Sequence, residues 1–366
     1  MAYDIMDGVI GRRRRASLDG DRTALARLVI AGLVLALALT VLFSLDSGAS
    51  DASGWQFLLD AAFPSFDSTL SMRDRVIMID IRLPRVMLGV LVGASLAVSG
   101  AVMQGLFRNP LADPGLIGIS AGSSLAAVAV IVLGATVLAP VILVFGSFAL
   151  PIAAFFGGLA TTLLLYRIST RQGRTSVATM LLAGIALAAM AMAFTGLLIF
   201  AADDRQLRDL TFWSLGSLSG ATWQKIGAVA PIMLLALVAT PFLARGLNAL
   251  ALGEATASHL GIPVQRLKYV AIIAVAAATG ASVAVSGGIG FVGIVVPHLL
   301  RLVIGPDNRF LLPASALLGA SLLLLADAVS RTIVAPAELP IGIVTAAAGA
   351  PFFLWILLGK RGVLDL

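Results

Sequence analysis

Apolar residues in this chain run in long blocks and do not alternate with polar ones. A helix that crosses a bilayer needs about 20 mostly apolar residues. Ten blocks qualify: 25–45, 85–106, 115–134, 141–165, 177–200, 226–244, 268–286, 289–304, 310–330 and 340–359. The eighth is the shortest and carries Pro297; the link Ser286-Gly287-Gly288-Ile289-Gly290 joins it to the seventh. The pattern predicts an all-α polytopic membrane protein, with one transmembrane domain over residues 1–366, a polar tail over 1–24 and one long loop over 245–267.

Composition supports the lipid setting. Hydrophobic residues make up 59% of the 366 positions and charged residues 12%, whereas soluble domains carry about 25% charge. The chain has no cysteine, which excludes a disulfide framework, a thiolate metal site and a Cys nucleophile. Its net charge of +6 is better read through the placement of Lys and Arg than as a nucleic-acid footprint. A signal peptide is the rival reading of the first block, since small residues (Ala49, Ser50, Ala52) follow it. The block is too long for a usual signal core and many further spans follow, so a signal-anchor helix fits better.

The charges orient the spans. With the N-terminus in the cytoplasm, the inner segments hold Arg12–Arg15, Arg108, Arg167, Arg171, Arg174, Arg245, Arg266, Lys268, Arg301, Arg309, Lys360 and Arg361. The outer segments hold Asp46, Asp51, Asp60, Asp67, Asp203, Asp204, Asp209 and Glu338. Ten spans with both termini inside satisfy the positive-inside rule. Arg73, Arg75, Arg82, Arg85 and Arg331 are exceptions at the outer side.

An internal repeat is visible. Residues 93–100, Gly-Ala-Ser-Leu-Ala-Val-Ser-Gly, return as Gly-Ala-Ser-Val-Ala-Val-Ser-Gly at 280–287, and the same offset of 187 superposes Pro110 on Pro297. The stretches lie five spans apart and therefore run in opposite directions, as in the inverted repeats of transporters. Chance similarity between two Ala/Gly/Ser-rich helices is the alternative; the shared proline favours the repeat. Gly89, Gly93, Ala97 and Gly100 fall on one helical face, where small residues let helices approach closely in lipid.

Candidate chemistry is sparse. No G-x-x-x-x-G-K-[ST] loop occurs, so ATP hydrolysis by this chain is not expected. No His/Asp/Glu cluster has metal-ligand spacing, and no metal is expected; His259 and His298 read as structural. Asp327, late in the ninth span, would be a proton-relay candidate in an ion-coupled carrier, but pairing with Arg331 one turn away is the simpler reading. Loop 245–267 mixes Leu250, Leu252, Ala255, Ala257 and Leu260 with the breakers Gly253, Gly261 and Pro263. Short apolar helices there suit either docking on a partner or lying at the lipid interface. A non-transporting membrane scaffold is a third reading.

Several stretches together are similar to a known family. Arg82-Leu-Pro-Arg85, residues 92–115 (Val-Gly-Ala-Ser-Leu-Ala-Val-Ser-Gly-Ala-Val-Met-Gln-Gly-Leu-Phe-Arg-Asn-Pro-Leu-Ala-Asp-Pro-Gly), Leu252-Gly253-Glu254, Gly288 to Arg301, Leu325 to Arg331 and Glu338-Leu-Pro-Ile-Gly342 occur in this order. The chain resembles the permease subunits of iron-siderophore, heme and cobalamin ABC importers over nearly all its length after the first span. The resemblance implies a permease that is not itself an enzyme, in a homodimer with one path at the dimer axis in the bacterial inner membrane. It also implies two copies of an ATPase subunit that bind ATP and Mg, and a periplasmic substrate-binding protein.

By the same resemblance, Leu252, Gly253, Glu254, Ala255, Leu260 and Gly261 match the family's ATPase-coupling segment, which favours docking over lipid contact for that loop. Arg82, Arg85 and Arg331 match arginines that meet acidic residues of the binding protein. The cytoplasmic gate would lie near Asn109, Pro110, Leu111, Ser176, Val177 and Ala178. The cobalamin importer has hydroxyl residues where Val177 and Ala178 stand, which argues against cobalamin. His298 belongs to a Pro-His pattern found across the family whatever the substrate, so it does not argue for heme ligation. The stretch Phe107 to Asp113 looks closest to heme-type permeases, and heme is the expected cargo, with a ferric siderophore or cobalamin as alternatives.

Overall fold

A computed structural model of the chain describes residues 22–48, 53–62, 71–172 and 174–359. The helices are α1 Thr23–Asp46, α2 Gly54–Ala62, α3 Met72–Phe107, α4 Ile119–Leu133, α5 Ala139–Phe145, α6 Ala149–Ser169, α7 Val177–Phe200, α8 Asp204–Ser214, α9 Trp223–Ala251, α10 Glu254–His259, α11 Val264–Ser286, α12 Val292–Ile304, α13 Asn308–Thr332 and α14 Ile341–Gly359. A two-residue hairpin, β1 Thr170–Arg171 and β2 Arg174–Thr175, joins α6 to α7. Among the described residues, seven helical segments are long and apolar enough to cross a membrane, and three shorter apolar helices stand at the third, eighth and tenth expected spans. The ten expected spans therefore all exist as helices. The Arg12–Arg15 run, most of the 1–24 tail, Ala49, Ser50, Asp51, Ala52, Asp67, Lys360 and Arg361 lie outside the described residues.

Several boundaries differ from expectation, each for a local reason. The second span begins at Met72 instead of 85, with a π-helical turn over Ile77–Arg82. Pro84 has no N–H to give to the carbonyl four residues back, and the helix loosens just before it. The fourth block, 141–165, is broken at Gly146, whose φ of 53° ends α5. The sixth span runs on to Ala251, because Leu243, Ala244, Leu247 and Leu250 keep a buried face at helical spacing. Loop 245–267 is thus mostly helix: its first residues close α9, its last open α11, and α10 is its one separate helix. Amphipathic α8, between the fifth and sixth spans, was not expected; Asp203 and Gln206 form a capping box at its start.

The centre of the bundle is α3, which is buried over most of its spanning window. Its small face explains this. A Cβ at Gly93 would collide with the Gly319 carbonyl of α13, and one at Gly100 with the Gly293 carbonyl of α12. These backbones touch because no side chain separates them.

The packing repeats with a five-span shift. Helix α3 packs on α12 and α13, which pack on each other; α11 packs on α6 and α4, which pack on each other. The α4–α6 pair also closes on glycines, Gly122 against Gly157. Gly89 of α3 and Ser286 of α11 both lie against the link that follows α8, at Leu218 and Ser217, whereas Gly105 and Leu267 both lie against the end of α9. The two helices are antiparallel, as an inverted repeat requires. The proline correspondence is not structural, however: Pro110 sits in a turn and Pro297 inside α12. Helix α11 stops at Gly287 (φ 69°), where α3 continues for two more turns past Gly100.

Candidate functional site: two ends of the bundle

At one end the three expected arginines come together. Each is nearly buried: Arg82 is 4%, Arg85 7% and Arg331 8% exposed. Arg85 of α3 reaches Asp327 of α13 at 2.9 Å and Glu338 at 2.8 Å. Arg331 pairs with the same Asp327 at 3.0 Å, one helical turn away, as the simpler sequence reading had it. It also donates to the Ser47 carbonyl (2.8 Å) and to the Ser44 hydroxyl (2.9 Å). Arg82 donates to the Leu45 carbonyl at 2.7 Å. Together these bonds fasten the end of α1 to α3 and α13. The guanidinia lie inside this cluster, and Glu338 and the first turn of α3 form its accessible rim. Asp327 and Glu338 as partners of Arg85 were missed, because nothing local in the sequence links them.

At the opposite end lies the 252–261 segment. Gly253 (φ 105°) and Gly261 (φ 81°) bracket α10. Neither has an atom near its missing Cβ, so backbone conformation and not space requires glycine there. Ala257 is fully buried and pins α10 to the core, whereas Ala255 is exposed and Leu252 and Leu260 project at 66% and 62% exposure. The segment thus presents exposed leucines on both sides of a helix anchored by a buried alanine. Beside it, Glu254, Ser258, Pro263, Gln265 and Arg174 line an open groove of about 480 Å³.

The expected gate residues sit at this same end, on two neighbouring turns. Arg108 takes a left-handed conformation (φ 50°) and ends α3. Asn109 accepts the Leu111 N–H at 2.9 Å and so holds the turn through Pro110. The following turn, Pro114–Ile117, packs on α7. Ser176 caps α7, accepting from the Thr179 N–H, and its own N–H closes the hairpin on Ser169. Val177 packs against the large buried cluster that also holds Phe107, Ala112 and Met180; Ala178 is exposed. Asp113 accepts the Gly115 N–H at 2.7 Å and lines a cavity of about 330 Å³ with Thr279 and Phe291. Burial raises its carboxyl above the usual range, against the opposing pull of that N–H.

Lys268 was counted only as an inner positive charge. Among the described residues it is the most enclosed cation of this end, 1% exposed. Its ammonium donates to Glu254 Oε1 at 2.6 Å and to the Thr175 carbonyl at 2.8 Å.

The FecCD transport family matches residues 29–359. The chain belongs to the FecCD transport family. It is 44% identical over 337 residues to the hemin transport system permease protein HmuU of Yersinia pestis, covering 92% of this chain and 96% of that protein. It is 41% identical over 335 residues to the vitamin B12 import system permease protein BtuC of Klebsiella pneumoniae, covering 90% and 93% respectively. A solved inward-facing structure of an ABC transporter assigned to the metal-chelate type superposes with a TM-score of 0.79 at 31% identity, covering 91% of this chain and all of that one. This FecCD chain is the permease of an ABC importer, and the polytopic helical fold is that of the family.

Proposed function

We propose that the chain is the membrane subunit through which heme enters the cytoplasm, driven by ATP hydrolysis on a separate subunit. The observation that carries the ATP-driven part is the glycine-bracketed α10, with Leu252 and Leu260 exposed on a buried alanine base. A lipid-facing helix has no need of such a mounting, whereas a knob that must fit a cleft and transmit force does. Heme is favoured by the extent of similarity to the hemin permease of Yersinia pestis. It is also favoured by the apolar Val177-Ala178 pair where cobalamin importers carry hydroxyls.

The functional unit is a homodimer with two ATPase subunits that hold ATP and Mg. The 252–261 end and both termini face the cytoplasm. The Arg85 end faces the periplasm of the bacterial inner membrane, where a binding protein delivers the substrate. No chemistry occurs on the cargo; alternating access suffices.

Proteoliposomes with the chain, its ATPase and its binding protein test this. ATP-dependent heme accumulation is expected. Accumulation of cobalamin or a ferric siderophore without heme would overturn the cargo assignment. Accumulation that ignores ATP and follows an ion gradient would overturn the importer reading.

A further inference from the structure

The Glu254–Lys268–Thr175 chain joins three elements that are distant in sequence. Glu254 opens α10. Lys268 lies on the first turns of α11. Thr175 ends the hairpin, and the next residue, Ser176, caps α7. A second tie runs beside the first: the Gln265 side chain, one turn earlier on α11, accepts the Thr175 N–H at 2.8 Å. Both backbone groups of Thr175 are thereby held by α11.

A fully enclosed ammonium cannot shed its partners freely. Losing Glu254 leaves a buried charge with no counter-ion, and losing the Thr175 carbonyl leaves a donor unmade in a poorly hydrated place. Moving α10 therefore drags Lys268, and moving Lys268 drags the hairpin. A pair exposed at both ends would simply re-solvate, whereas here only the Glu254 end, 45% exposed, reaches solvent.

We propose that Lys268, with Gln265 as its second tie, is a positioning residue that makes α10 and the 170–176 hairpin one mechanical unit. A displacement of α10 is delivered through it to Ser176 and the start of α7, where the gate residues stand. This rests on the reading of α10 as the ATPase-facing helix.

The test uses the complete complex in proteoliposomes and two readouts. The first is heme accumulated per ATP hydrolysed. Lys268→Met keeps the apolar stem and removes every donor; the ratio is expected to fall about tenfold, within the usual range of coupling between sites, while ATP turnover persists. Lys268→Arg restores donors and is expected to recover most of the ratio. Gln265→Leu, which leaves the ion pair intact, is expected to give a smaller fall of the same kind. An unchanged ratio in Lys268→Met, or transport and ATP turnover falling in equal proportion, overturns the relay.

The second readout needs no transport. The chain has no cysteine, so Arg171→Cys and Ser258→Cys place spin labels on the hairpin and on α10 without background. The labelled distance is expected to be narrow with Lys268 present and broad in Lys268→Met. Equal widths reject the proposal even if no substrate is transported. A wild-type complex that hydrolyses ATP without moving heme, but shows the narrow-to-broad change, sinks the cargo assignment and leaves the relay standing.

Discussion

Arg85 and Asp327 stand 242 positions apart in the chain and 2.9 Å apart in space. The pair is buried, and Asp327 is shared with Arg331. Removing one member leaves the others uncompensated, so Arg85→Ala or Asp327→Ala is expected to cost about 3–5 kcal/mol of stability. The double replacement Arg85→Met with Asp327→Leu is expected to cost less than the sum, since desolvation disappears with the charges. Thermal unfolding in detergent measures both. Additive losses would mean that the two side chains do not act as a pair.

Glu338 lies on the accessible side of the same cluster, with 40% of its side chain exposed. A binding protein that offers carboxylates would meet it as a like charge. Glu338→Gln is therefore expected to tighten binding-protein association, more at low salt than at high, and to change stability by less than about 1 kcal/mol. Arg82→Glu or Arg331→Glu is expected to weaken association and to lower stability as well, because each guanidinium also holds the end of α1. A dissociation constant that does not move in Glu338→Gln rejects the docking role of this end.

The short helix α10 gives a positional test. Ala255 lies in its first turn, where proline is tolerated. Ala257 donates its N–H to the Gly253 carbonyl at 3.0 Å and is buried. Ala257→Pro is expected to abolish ATP-dependent transport while the ATPase still binds nucleotide; Ala255→Pro is expected to act weakly. Glu254→Arg, which sets a second cation against Lys268, is expected to resemble Ala257→Pro. Transport by Ala257→Pro at the level of Ala255→Pro and wild type would show that the helix itself does not matter.

These expectations separate what local sequence reveals from what it hides. Spans are legible because each must be apolar by itself, and the bracket around α10 because Gly253 and Gly261 stand at its two ends. The amphipathic α8 carried a readable local signal, Asp203 with Gln206 three residues on, but is too polar for a search for spans. The long-range polar ties were hidden for a different reason. Lys268 meets a carbonyl 93 residues away, and Arg85 a carboxylate 242 away, so no window along the chain contains both partners. The arginines at the first end were recognised as a group from their unusual side, but their burial follows only from the docking of α1, α3 and α13.

Glycines on the central helix discriminate packing from mere flexibility. Gly100 has no room for a side chain against Gly293, whereas Gly196 on α7 has no atom within 4 Å of its missing Cβ. Gly100→Ala is expected to force α3 and α12 apart at a cost of about 1–3 kcal/mol and to reduce the folded yield in membranes. Gly196→Ala is expected to be neutral or stabilising by up to about 1 kcal/mol, since alanine favours a helix interior. The yield and melting temperature of the two variants, measured side by side, decide this; a neutral Gly100→Ala would mean that the close approach is not needed.

Acid sensitivity is expected at the start of the ninth span. Burial of Asp307 raises its carboxyl, but the Arg309 side chain and N–H and the Asn248 amide outweigh it and hold the group below the usual range. Asn248 in turn accepts from both the Asn308 N–H and its side-chain amide, so the carboxylate anchors the α9–α13 contact. A depressed pKa in the folded state stabilises the fold above the unfolded value of about 3.9, and that contribution fades as pH falls through the folded value. The gap in melting temperature between wild type and Asp307→Asn is therefore expected to be constant from pH 7 to about 5 and to narrow below about 4. A gap that widens on acidification would place the ionised form of Asp307 on the destabilising side and reverse the role given to Arg309.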